Sequence, residues 1–223
     1  DLLRVIQAGD ALQEAEQVVM DLLSHKYQNA KDWGEYAILY RGNHQSRHLE
    51  RLLRQHHVPY QISGGQSWFG RTEIKDMLAY LKLVANGEDD SAFLRIINTP
   101  KRGIGEQSLK ALSEYAKKRG LPLWVCADHL ALSTLLQENI QEALKYFKQF
   151  ITLWCDELAT SNWPDKLYAY FTAIGFEAYW YDSSDNPVQV QKKLERVQEL
   201  FDWMKRLHEK KPDMSLADVL HKL

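Results

Sequence analysis

Arg41, Asn43 and Arg47 stand in the string Tyr36-Ala37-Ile38-Leu39-Tyr40-Arg41-Gly42-Asn43-His44-Gln45-Ser46-Arg47, and their types and spacing suit phosphate chemistry. Five residues suited to a buried strand run straight into Arg-Gly-Asn and then into a helix. Each arginine carries a planar fork that matches a phosphate, and the amides of a helix start add further donors. Asn43, two residues after Arg41, can reach the same phosphate or the edge of an unstacked base. Gln45 and Arg47 brace the corner or cap its helix. Solvated loop arginines are the competing reading.

Two further strings carry the same kind of chemistry. Ile62-Ser63-Gly64-Gly65-Gln66-Ser67-Trp68-Phe69-Gly70-Arg71-Thr72-Glu73-Ile74-Lys75-Asp76 joins paired glycines, which let the chain turn tightly beside a ligand, to two aromatics and an arginine. Ser67 or Thr72 can cap the helix whose first turn holds Glu73; Phe69 also fits as an apolar staple for that helix. In Asn98-Thr99-Pro100-Lys101-Arg102-Gly103-Ile104-Gly105, a Gly-hydrophobe-Gly turn opens a helix and offers backbone N–H groups to an anion, with Lys101 and Arg102 adding charge.

These strings must be held by elements, and periodicity supplies an expectation for each. Leu2–Ile6, Tyr36–Tyr40 and Pro59–Ile62 read as strands, with helices from Asp10 to about Tyr27 and from Asn43 or Ser46 onward. Alternating strands and helices imply a parallel sheet up to about residue 83. From Thr72 the pattern is helical, interrupted at Asn86-Gly87-Glu88-Asp89-Asp90. Helices are expected near 91–97, 106–119, 122–131, 134–158, 164–174, 188–210 and 215–222. The predicted fold class is therefore α/β followed by all-α, with domains 1–85 and 86–223. Trp124, Trp154, Trp163, Trp180 and Trp203 fall at helical spacing and read as core.

Composition narrows the function. The 223 residues are 45% hydrophobic and 26% charged with net charge −2, so the chain as a whole has no electrostatic bias toward nucleic acid. Cys126 and Cys155 lie far apart, without metal-ligand spacing, and read as buried thiols; the eight histidines are scattered, and no metal site is expected. No run of 18 apolar residues and no signal segment is present. No G-x-x-x-x-G-K-[ST] string occurs, so the cradle and lysine that hold ATP are missing. The opening Asp1-Leu2-Leu3-Arg4, without Met, reads as a chain cut from something longer.

The three strings, in this order and spacing, resemble motif IV, motif IVa and the Gly-Ile-Gly element of the Rep/UvrD/PcrA superfamily 1 DNA helicases. The wording Tyr-Arg-Gly-Asn-His-Gln-Ser-Arg resembles the Rep branch. The resemblance covers essentially the whole chain, by motif over 36–110 and only by helical pattern over 120–223. It departs at Gly70, where the family often has a charged residue. It implies a RecA-like parallel-sheet segment of motor domain 2A (1–85) and a helical 2B accessory domain (86–223). It also implies a 3′–5′ helicase of replication and repair in the bacterial cytoplasm, using ATP and Mg²⁺ held elsewhere. The catalytic residues lie outside this chain, which should be inactive alone. Single-stranded DNA would meet Arg41, Asn43, Arg47, Gly65, Phe69 and Arg71. Duplex would meet Thr99, Lys101, Arg102, Gly103, Ile104 and Gly105. Ala85, Asn86, Gly87 and Glu88 would form the hinge on which 2B swivels. Expected partners are DNA, replication-fork proteins and a second copy across an exposed sheet edge. The alternative is a non-enzymatic helical module that binds DNA or protein.

Overall fold

Several helix ends are written plainly in this chain, at Asp10, Asp89, Asn186 and Ser215. In the computed structural model, which describes residues 4–63 and 67–222 apart from the side chains of Asn43 and His44, α1 spans Ala11–Asn29, and Asp10 accepts the Gln13 N–H at 2.8 Å. α2 spans Asn43–Gln55. After α3 (Thr72–Ala85), Asp89 caps α4 (Asp90–Ile96) through the Ala92 N–H at 2.8 Å. α5 (Glu106–Arg119) ends at Gly120, whose φ of 63° is the left-handed stop that glycine tolerates best. Then come α6 (Leu123–Cys126), α7 (Glu138–Leu158), α8 (Trp163–Ile174), α9 (Phe176–Asp182), α10 (Pro187–Lys210) and α11 (Leu216–Leu220). Pro187 opens α10 behind the Asn186 cap, where a missing N–H costs nothing.

The expected parallel sheet is absent: among the described residues there is no strand. Tyr36–Tyr40 belongs to no helix or strand, with Tyr36 itself extended (φ −106°, ψ 141°), and its alternation in burial is real. Ile38 and Tyr40 pack on the helices while Leu39 is 93% exposed. No backbone ladder forms on it, however, nor on Pro59–Ile62, and Val5 is exposed. The physical reason is that alternation fixes a local conformation and a buried face, whereas a strand also needs a hydrogen-bonded neighbour. An extended segment lying across two helices satisfies the same pattern. The described residues therefore form helices joined by turns and unpaired segments, and the sheet edge expected to drive dimerisation has no counterpart among them.

Two compact units divide the chain after Arg71. In the first, α1 and α2 enclose Ala15, Val19, Leu49, Leu52, Leu53 and Val58, flanked by Trp33, Ile38, Tyr40 and Tyr60. The second, Thr72–His221, is built around α3, which is buried on nearly every side and touched by α4, α7, α10 and α11. A helix apolar all round belongs in such a position. Its two buried acids are paired, Glu73 with Arg196 at 2.6 Å and Asp76 with Arg95 at 2.7 Å. Tyr80, Phe93, Phe147, Tyr170 and Phe176 complete the core largely by edge-to-face contacts. α9, not expected from the sequence, buries Phe176 and Trp180.

Candidate nucleic-acid interface

The Arg41 corner is built by a reciprocal cap. Gln45 Oε1 accepts the N–H of Arg41 at 3.1 Å and of Gly42 at 3.0 Å, and the Gln45 N–H donates to the Gly42 carbonyl. This holds Arg41 exposed at the entry to α2, on a cleft of about 200 Å³ shared with Leu39, Tyr40, Gln45 and His48. Arg47 is half-buried one turn on. Asn43 opens α2, but its side chain lies outside the described residues, as does Gly65.

The second string is tied to α2 by a residue that spacing did not flag. Glu50, 2% exposed, accepts from Ser46 Oγ at 3.2 Å, Ser67 Oγ at 2.6 Å, Tyr60 Oη at 3.4 Å and the Trp68 N–H at 3.1 Å. A buried carboxylate survives only with such a set of donors. The Trp68–Gly70 turn is thereby fixed, and cations cover its aromatics. The Arg51 guanidinium lies 5.3 Å from the Trp68 ring centre and that of Arg54 4.1 Å from Phe69. Phe69, 3% exposed, is packed away rather than presented as a stacking platform; Arg71 is half-buried. Arg54 and Ser67 line a separate cleft of about 470 Å³. The structure thus joins the two strings through Glu50 without gathering their arginines into one cavity. The available signal for Glu50 was its phase: an acid among Leu49, Leu52 and Leu53 on a buried helix.

The third string is a single turn. It follows a cis Thr99–Pro100 peptide, and Gly103 takes φ 72°, a left-handed conformation open to glycine. Ile104 is 1% exposed and anchors the turn, while Lys101, Gly103 and Gly105 are exposed. Asn98 closes the base: Nδ2 donates to the Ile104 carbonyl at 3.0 Å and Oδ1 accepts the Arg102 N–H at 2.8 Å. Among the described residues the N–H groups of Gly103 and Gly105 have no partner, and Gly105 caps α5 without a side chain. Those amides, the first turn of α5 and Lys101 can receive an anion; Glu106, at the first position of α5, opposes it. Arg102 is half-buried. Its Nη1 donates to the carbonyls of Ile96, Ile97 and Pro100 at 3.0–3.1 Å and its Nη2 to Tyr80 Oη at 2.6 Å. Thr99 turns its carbonyl to Tyr80 Oη at 2.8 Å. Burial pushes the Tyr80 hydroxyl up to about 12 against the pull of Arg102, so it remains a neutral donor.

Ala85, Asn86, Gly87 and Glu88 fall inside the second unit as a bonded turn. Asn86 Oδ1 accepts the Glu88 N–H at 3.0 Å and the Asn86 carbonyl accepts the Asp89 N–H. Gly87 lies against Trp124, where a Cβ would come within 3.0 Å of Cδ1. No helix is long and apolar enough to cross a membrane among the described residues.

The sequence matches the family described as UvrD-like helicase C-terminal domain over residues 1–223. It is 41% identical over 210 residues to the ATP-dependent DNA helicase Rep of Escherichia coli K12, covering 93% of this chain and 31% of that protein. It is 41% identical over 152 residues to DNA helicase II of the same organism, covering 68% of this chain and 21% of that one. With the ATP-dependent DNA helicase PcrA of Staphylococcus epidermidis it shares 36% over 153 residues, or 69% and 21%. The chain thus spans about a third or less of the length of these relatives.

Proposed function

Since the chain belongs to the UvrD-like helicase C-terminal domain family, we propose that it serves an ATP-dependent 3′–5′ DNA helicase of bacterial replication and repair and supplies two DNA contacts to it. The first unit grips single-stranded backbone through Arg41, Asn43, Arg47 and Arg71, and Gly65 and Phe69 belong to the same proposed contact. The second unit meets duplex at Thr99, Lys101 and the Gly103–Ile104–Gly105 turn. Ala85–Glu88 is the point about which the helical body is proposed to swivel. Its partners are DNA and proteins of the replication fork.

ATP and Mg²⁺ belong to that activity, yet the residues present do not fit them. The sequence has no phosphate-loop string to cradle a nucleotide, so its residues carry no step of ATP chemistry. What the chain itself can do is hold phosphate. The observation that carries this reading is the turn at 103–105, with two exposed glycine amides unspent beside an exposed lysine.

Fluorescence anisotropy on a hairpin duplex and on a single strand, at several salt concentrations, tests it. Because net charge is −2, affinity should lie on the order of the 10⁻⁴–10⁻⁶ M of non-specific contacts. Gly105→Ala is the clean probe: its added Cβ meets nothing within 4 Å, so the fold stays intact while close approach of a phosphate is blocked. If this variant binds duplex as well as the unaltered chain, the turn is a helix cap. The alternative of a protein-docking helical body then takes over, for which Leu130, 92% exposed, offers apolar surface.

A further inference from the structure

Arg102 has the residue type of a phosphate ligand and the environment of a strut. Both hydrogens of Nη1 are committed to three backbone carbonyls, Ile96, Ile97 and Pro100, and one of Nη2 to Tyr80. Its guanidinium lies 4.7 Å from the ring centre of Phe147. Tyr80, 0% exposed, cannot touch a ligand, yet its hydroxyl bridges Arg102 to the Thr99 carbonyl. Tyr80 is fixed in turn, since its own carbonyl accepts the Tyr170 hydroxyl at 3.3 Å. With Asn98 spanning the base of the turn, the carbonyls of Ile96, Ile97 and Pro100 are gathered on one cation, and that of Thr99 accepts from Tyr80 Oη.

We infer that Arg102 is a positioning residue, held by Tyr80, that pins the stretch of backbone behind the Gly103–Gly105 turn and leaves phosphate contact to Lys101 and the turn amides. The inference rests on the duplex-contact reading above for its functional consequence, but the clamp itself stands on the geometry alone. A pinned loop keeps its amides in one arrangement and so spends less ordering entropy when an anion arrives. Fixing the loop needs the fork of an arginine, because a lysine ammonium cannot span three carbonyls and a hydroxyl.

Salt dependence separates a strut from a ligand. Removing one phosphate contact lowers the slope of log K against log salt by about one unit, whereas loosening a loop lowers affinity and leaves the slope alone. Lys101→Ala should lower the slope by about one. Arg102→Lys keeps the charge and Tyr80→Phe keeps the ring, so both should fold. Both should weaken hairpin-duplex binding by about fivefold to tenfold at unchanged slope. The amide order parameters of Gly103 and Gly105 should drop toward the flexible range, below about 0.6, in both variants. A slope reduced by Arg102→Gln as much as by Lys101→Ala would overturn the inference, as would Arg102→Lys binding like the unaltered chain. Should the unaltered chain bind no duplex, the functional reading fails by itself. The order parameters then decide the clamp: unchanged values at Gly103 and Gly105 in Tyr80→Phe refute it.

Discussion

Glu50→Gln should loosen the joint between α2 and the Trp68–Gly70 turn. In the native arrangement Oε1 takes Ser46 Oγ at 3.2 Å, Oε2 takes Ser67 Oγ at 2.6 Å and Tyr60 Oη at 3.4 Å, and the Trp68 N–H lies 3.1 Å from both oxygens. A glutamine keeps one oxygen. Its amide nitrogen must then take either the place of Oε1, facing Ser46 Oγ, or that of Oε2, facing Ser67 Oγ and Tyr60 Oη, and in both it also faces the Trp68 N–H, which can only donate. The bonds that survive also lose charge assistance, falling from about 1.5–3 to about 0.5–1.5 kcal/mol each. Two weakened bonds and one thwarted donor come to about 2–4 kcal/mol, a large share of the 5–15 kcal/mol typical of a domain. The assay is hydrogen exchange of the Trp68 amide by NMR, beside urea unfolding. Exchange should quicken by between about 30-fold and 1,000-fold if the joint opens locally, at 1.4 kcal/mol per tenfold. Exchange of Trp68 within about threefold of the native rate, at an unchanged urea midpoint, would refute the role given to Glu50.

Two further outcomes are expected. Gly87→Ala places a Cβ 3.0 Å from Trp124 Cδ1 and 3.2 Å from Nε1, so overpacking of about 1–3 kcal/mol should outweigh the entropy gained by losing a glycine and lower Tm by a few degrees. A Tm that is unchanged or raised would mean that the Trp124 ring gives way to the added methyl. On the alkaline side, Tyr80 titrates near 10 when unfolded but at about 12 when folded, so the unfolded chain releases its proton first. Its contribution is fully present below pH 10 and is lost as pH rises from 10 toward 12, by up to roughly 3 kcal/mol. Tyr80→Phe should therefore flatten stability against pH in that window; identical slopes for the two proteins would show that burial does not hold the phenol neutral.

How far the fold could be read differs from element to element. Caps and stops are local chemistry: Asp10 starts α1 as expected, and the helices expected near 106–119 and 188–210 stop at Gly120 and start behind Asn186. Helix α9 escapes a periodicity reading because Phe176, Tyr179 and Trp180 occupy only two turns, too short a run to register. The sheet failed for a different reason. Ile38, Leu39 and Tyr40 alternate in burial as a strand would, but the strand expected there does not form among the described residues. Pairing is a property of two segments, and nothing within Tyr36–Tyr40 specifies a partner.

For the interface, residue type located the turns but could not apportion the work within them. Arg41 and Arg102 are the same side chain at the edge of a glycine turn. One is exposed, the other has its fork turned onto four oxygens of its own chain. What separates them is Tyr80, 22 residues away on a buried helix, whose hydroxyl needed a partner. The same holds for Glu50, whose donors Ser67 and Trp68 lie 17 and 18 residues along the chain. A buried polar group must be satisfied from wherever the fold can supply a partner, so its assignment is decided by tertiary packing. An arginine becomes available to DNA only when no such neighbour claims it. If the proposed contacts hold, the donors left unspent, rather than the motif, separate the residues of this chain that meet a phosphate from those that hold the fold.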